Sequence, residues 1–178
     1  VKSEVLDKLK REIDKDARAF SERPIVPPPG LPFVSRKALQ RIVAPLPTFP
    51  ICNCGKVSVI ANNSIIYDTP RGKWPYVYYC NSCGDSVGLH PSTDIPLGTL
   101  ANAELLKMRN SCKSKFLQVC NIVFPRRRQH AYRWLAKELC IDEVACHWAL
   151  FDSEMCKRAR MACVIKLSDY SLKHPDKS

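Results

Sequence analysis

The 178-residue chain carries 28 Lys and Arg against 17 Asp and Glu, a formal charge of +11, with 46% hydrophobic and 25% charged residues. That balance excludes wholesale disorder and a collagen-like repeat, and no apolar run approaches the roughly 18 residues needed to cross a bilayer. The charge points to a polyanionic partner such as nucleic acid or an acidic surface, and the lack of a spanning run points away from a membrane. The polar opening lacks a signal-peptide apolar region, so the reading is an intracellular, cytoplasmic protein, although Val1 in place of Met leaves a removed leader open. In a reducing compartment the 10 cysteines point to metal thiolates and buried free thiols instead of a disulfide framework.

Residues 2–22 read as an N-terminal helix, since Val5, Leu9, Ile13, Ala17 and Phe20 recur at helical spacing and Ser3 can cap the start. From Arg23 to Phe33, five prolines and Gly30 deny the backbone helix and sheet bonds. Residues 23–50 therefore form a proline-rich strap, with one short helix beginning near Ser35 and closed by Pro45, Pro47 and Pro50. Over 51–95 the runs KVSVI, SIIY, PYVYYC and SVGL alternate with turn sequences and predict small hairpins, which are marginal alone. A helical region covers 96–170. Leu105, Met108, Cys112, Phe116 and Val119 form its first stripe, Pro125 interrupts it, a second helix runs over about 126–140, and one or two shorter helices fill 142–167. The final residues read as frayed. The fold class is α+β: a small β-hairpin module, which the cysteine pairs Cys52/Cys54 and Cys80/Cys83 make a zinc ribbon, packed with a C-terminal helical layer, plus the N-terminal helix and strap.

The strongest chemical signal is Cys52-x-Cys54-Gly followed by Cys80-x-x-Cys83-Gly. Zinc takes four tetrahedral thiolate or imidazole ligands, and two tight turns that each present a sulfur pair supply them. A glycine after each pair lets the backbone curl under the sulfurs. One structural Zn2+ is expected, closed to water and substrate because cysteine fills all four positions. Four buried thiols are the plain alternative. A redox pair fits less well, because Cys80-x-x-Cys83 precedes a strand-like run instead of opening a helix. Cys112 and Cys120 read as core residues. Cys140, Cys146, Cys156 and Cys163, with His147, could form a second site only if their helices converge, and their spacings match no ligand-pair template.

Between Lys107 and Lys137 there is no acidic residue, while Lys107, Arg109, Lys113, Lys115, Arg126, Arg127, Arg128, Arg133 and Lys137 are all present. On the second helix Arg126, His130, Arg133 and Lys137 share one face, with Ala131, Leu135 and Leu139 opposite. Such a stripe suits phosphate contact driven by counterion release. A solvated helix face is the ordinary alternative, but ordinary faces mix charge signs. Beside the second cysteine pair, Trp74, Tyr76 and Tyr78 could stack on unpaired bases while Arg71 and Lys73 hold the backbone; equally, alternate tyrosines could pack the hairpin against neighbouring helices.

In order along the chain stand Cys52-Asn-Cys54-Gly, the Tyr-Tyr-Cys-Asn-Ser-Cys run ending at Cys83, Val-Gly-Leu-His ending at His90, Pro96 to Asn102, Ala131 to Ala136, and Cys146-His147 followed by Phe151 and Cys156. Together these segments resemble a family of bacterial and phage zinc-finger-containing proteins of unknown function. The resemblance spans about residues 50–165 and implies zinc without supplying a reaction. The chain departs from the family pattern in its single residue between the first cysteines, in Leu89 where the family carries cysteine, and in Lys113 where it tends to carry histidine.

The leading functional reading is a non-catalytic zinc-ribbon protein that binds RNA or DNA through its basic helical face within a larger nucleoprotein assembly. A protein-binding adaptor or inhibitor, docking through the ribbon and N-terminal helix, is the alternative. A nuclease-like enzyme ranks last, because Asp68, Asp85, Asp94, Asp142 and Glu143 form no familiar pair and His90 and His147 read as structural.

Overall fold

The computed structural model describes residues 15–175, which divide at Leu100/Ala101 into two compact units. Of the helix expected over 2–22, residues 1–14 lie outside the described residues. The rest is a single 3-10 turn, Ala17–Ala19, started by the Asp16 carboxylate accepting from the Arg18 N–H.

In the N-terminal unit the strap belongs to the same core as the ribbon. Ala19, Leu31, Val34, Leu39 and Ile42 are buried in one cluster with Cys52, Tyr78, Cys80, Val87, Leu89 and Ile95. An extended proline-rich segment cannot satisfy its own backbone, so side chains hold it down. Arg18 donates to both oxygens of buried Asp94, at 2.7 and 2.8 Å, while also bonding Asp16. Arg36, opening the short helix α1 (Arg36–Leu39) behind its Ser35 cap, donates to the carbonyls of Arg18, Ser21 and Arg23. At Gly30, with φ +95°, a Cβ would stand 2.9 Å from the Ile60 carbonyl, so only glycine permits this approach.

The described strands β1 (Val59–Asn62), β2 (Tyr76–Tyr79) and β3 (Ser86–Gly88) form one antiparallel sheet in the order β1-β2-β3, with Val59 opposite Tyr79 and Tyr78 opposite Val87. The run SIIY, expected as a strand, is instead the helical turn α2 (Ser64–Tyr67). The Asn62 side chain accepts from the Ser64 N–H at 2.9 Å, and Asp68, left-handed at φ +64°, closes the turn. This Asx turn and the left-handed stop override the β-branched composition. After β3, residues 90–95 gather bonds from across the unit. Tyr78 Oη donates to the Asp94 carbonyl, Trp74 Nε1 to the Thr93 carbonyl, and the Ser35 N–H to the Ser92 carbonyl.

The C-terminal unit is built from α3 (Ala103–Ile122), α4 (Arg128–Leu139) and α5 (Ser153–Lys173). Cys112, Phe116, Val119, Leu135, Leu139, Trp148, Phe151, Cys156 and Cys163 close its core. The shorter helices expected over 142–167 are two 3-10 turns, Glu143–Ala145 and Trp148–Leu150, followed by one long helix that includes Lys173. Small residues along its buried seam, Cys156, Ala159 and Cys163, mute the hydrophobic stripe that would have announced it. No described helix is long and apolar enough to cross a membrane.

Candidate metal centre and basic surface

Two knuckles carry the four cysteines, and each is a hydrogen-bonded turn. In the second, the Gly84 N–H donates to the Cys80 carbonyl and the Cys80 N–H to that of Asp85, both at 2.8 Å. The first is one residue shorter yet repeats the scheme, with Gly55 N–H to Cys52 carbonyl and Cys52 N–H to Lys56 carbonyl, again both at 2.8 Å. The single-residue spacing therefore shortens the turn without disabling it. Gly55 and Gly84 take φ +83° and +82°, the left-handed conformation that their place under the sulfurs requires.

All four sulfurs lie within 4.8 Å of one another. The closest contacts cross between the knuckles: Cys52 Sγ to Cys83 Sγ is 3.4 Å and Cys54 Sγ to Cys80 Sγ is 3.5 Å. A zinc tetrahedron with Zn–S bonds of about 2.3 Å has sulfur–sulfur edges of about 3.8 Å, so the donor set fits the ion in chemistry and size. Cys52 and Cys80 are buried and Cys54 and Cys83 exposed, so each knuckle faces one sulfur to the core and one to the rim. N–H groups of Cys83 and Ser82 hold the Cys80 thiol down to about 7. Burial pushes the Cys52 thiol up. At Cys83 the Asp85 N–H pulls the thiol down, but neighbouring sulfurs and burial outweigh it and raise it to about 12. A bound cation removes this conflict by favouring every thiolate.

Among the described residues no second group of three or more such donors gathers. Cys112, Cys120, Cys146, Cys156 and Cys163 are buried in the helical core, and burial raises the thiols of Cys146 and Cys156 to about 11 and of Cys163 to about 12. Cys140 is exposed at the left-handed end of α4. The His147 ring caps the Trp148 turn by accepting from the Ala149 N–H.

Two assignments to the nucleic-acid set are corrected, and one exposed cation leaves the helical stripe. Arg109 is only 5% exposed and donates to the Phe151 carbonyl at 2.8 Å, so it is a core strut and no phosphate contact. Tyr78 is fully buried with its hydroxyl bonded inward, and burial lifts that hydroxyl to about 12; no base can stack on it. Arg126 precedes α4, at φ +61°, so the helical stripe is His130, Arg133 and Lys137. These three are exposed, as are Lys107, Lys113, Arg126, Arg127 and Arg128, while Lys115 is half-buried and bonds Gln118. Arg71 and Lys73 are exposed, and Trp74 and Tyr76 are half-buried. Two further aromatics, Phe33 and Tyr67, stand near them in the fold; Phe33 lies in the strap, too far away in sequence for spacing to reveal it.

A short antiparallel sheet flanked by two cysteine knuckles that bring four sulfurs together defines a four-cysteine zinc module. The chain belongs to the DUF3268 family of zinc-finger-containing domains, whose profile matches residues 49–166. No curated protein and no solved structure matches it significantly. The matched span begins after most of the strap, although the strap supplies much of the ribbon's core.

Proposed function

We propose that this is a non-catalytic zinc module that holds RNA or DNA against the basic surface of its helical unit, as a component of a larger nucleoprotein assembly. The observation that carries the reading is the asymmetry of α4. His130, Arg133 and Lys137 are exposed, and Arg126, Arg127 and Arg128 precede them, while Ala131, Leu135 and Leu139 are buried opposite. Among the described residues only Arg133 of these has a carboxylate partner, Glu143 at 3.2 Å. Unneutralised cations on one rigid face repel one another, and a polyanion relieves that repulsion while releasing its own counterions. A closed site of four cysteines leaves no coordination position for an attacking water, which supports a structural role for the metal. Four cysteines left unpaired by disulfides suit a reducing setting, which favours an intracellular location.

One observation favours the adaptor reading. An apolar hollow of about 520 Å³ beside the first knuckle is lined by Leu46, Phe49, Ile51, Pro96 and Leu100. Binding titrations against single-stranded RNA, single-stranded DNA and duplex DNA over a range of salt separate the two. The proposal expects log affinity to fall linearly with log salt, by about 0.9 per phosphate contacted on duplex DNA. The double reversal Arg133→Glu/Lys137→Glu abolishes that binding. Undetectable binding at low salt, or affinity unchanged by the reversal, overturns it.

A further inference from the structure

One end of the β1–β2 hairpin carries a second surface on which cations meet partly exposed rings. The connection between β1 and β2, residues 63–75, is pinned by its first residue: the Asn63 amide donates to the Arg71 carbonyl and accepts from the Arg71 N–H, both at 2.9 Å. Across this frame the Trp74 ring lies 5.1 Å from that of Phe33, supplied by the strap, and 4.8 Å from that of Tyr76. Trp74 Nε1 donates to the Thr93 carbonyl at 3.1 Å, which fixes the indole. Phe33 nevertheless remains 49% exposed. On the same loop Tyr67 is 38% exposed, and the Arg71 guanidinium lies 4.5 Å from its ring centroid.

The loop's charges are also unbalanced. Among the described residues no carboxylate pairs with Arg71 or Lys73, and the loop's single acid, Asp68, leaves it net positive. A purely apolar partner gains nothing from these cations, and an acidic protein partner could bury the rings but offers no regular alternation of ring and charge. A ligand that offers a flat π face and one negative charge per repeat matches both features, and an unpaired nucleotide run is that ligand. Duplex DNA cannot use the rings, because its base faces are hidden in the stack. Anchored rings lose little freedom on binding, so stacking here is pre-organised.

We infer that Phe33, Trp74 and Tyr76 form a stacking surface for unpaired bases of single-stranded nucleic acid, with Arg71 and Lys73 holding the adjoining phosphates. This rests on the nucleic-acid reading above and adds to it the strandedness of the ligand. The test compares short oligothymidylate with an abasic oligodeoxynucleotide of equal length, which keeps the phosphates and lacks the bases. The wild-type chain binds oligothymidylate about tenfold tighter than the abasic strand, with quenched tryptophan emission, the factor expected from about one stacked base. Phe33→Leu keeps an apolar contact on Trp74 and loses most of that preference, whereas Phe33→Tyr retains it; zinc content reports that each variant is folded. Equal wild-type affinity for the two strands overturns the inference without any variant, and so does an undiminished preference in folded Phe33→Leu. If the base preference is absent but Arg133→Glu/Lys137→Glu still abolishes binding, this inference fails and the nucleic-acid reading stands. If no strand binds, both fail.

Discussion

In the C-terminal unit, Phe116, Val119, Leu135 and Trp148 close a core between helices that satisfy their own backbones, and the cysteines there act as small apolar side chains. The N-terminal unit has strands of only three or four residues and a long segment that is neither helix nor sheet. It is held by point attachments: four sulfurs at one end, the Arg18–Asp94 pair and the Arg36 bonds to backbone carbonyls elsewhere. The same residue type is thus a donor in one unit and packing material in the other. What separates the two roles is whether turns gather four sulfurs around one ion's position or helices bury the sulfurs among apolar side chains. The contrast also shows that zinc is only part of what steadies the ribbon, because the strap supplies residues that the strands are too short to provide.

Four measurements put that contrast at risk. Metal removal has the largest expected effect. Chelation or Cys80→Ser unfolds the N-terminal unit, since structural zinc contributes on the order of 10 kcal/mol of folding free energy in comparable small modules. Amide exchange should then collapse over β2 while α3 and α5 stay protected. Acid acts in the same direction. Cys52 and Cys83 have raised thiol pKa values and carry protons at neutral pH, so binding expels at least two protons and affinity falls by at least about a hundredfold per unit of acidification. A chelator competition series across pH reads this slope.

The second measurement inverts the first. Phe116→Ala, at a fully buried ring, costs the helical unit about 3–5 kcal/mol in denaturant unfolding and leaves zinc content unchanged. Third, Asp94→Ala strips Arg18 of its buried partner and loosens the strap. With Arg18 about one-third exposed, the cost is reduced from the fully buried case to about 2 kcal/mol, measured by the unfolding midpoint of the zinc-loaded protein. The smallest effect belongs to Gly84→Ala. No atom crowds the added Cβ closer than 3.6 Å, so the penalty is the left-handed backbone alone, about 1 kcal/mol, and zinc is retained with slightly weaker affinity.

The metal site was legible because ligand chemistry is local: cysteine pairs and trailing glycines announce their turns wherever the turns finally sit. The stripe of α3 and the apolar side of α4 were legible for a similar reason, since helical periodicity is written along a single segment. Composition misled at SIIY, where an Asx turn at Asn62 outweighed β-branched residues, and at α5, whose seam is too small-sided to show. Arg109 and Tyr78 looked like surface contacts because nothing adjacent to them reveals the distant carbonyls they reach.

Residue order alone was enough for the sulfur knuckles, the excess of positive charge and the helices with broad apolar stripes, because each depends on neighbours within a few turns of chain. It took the closed fold to make the proline strap part of the core and to bring Phe33 against Trp74. The fold likewise settled which cations stay in water and which are buried. Those outcomes depend on pairings between residues far apart in the chain, whose burial is fixed only when the whole unit closes.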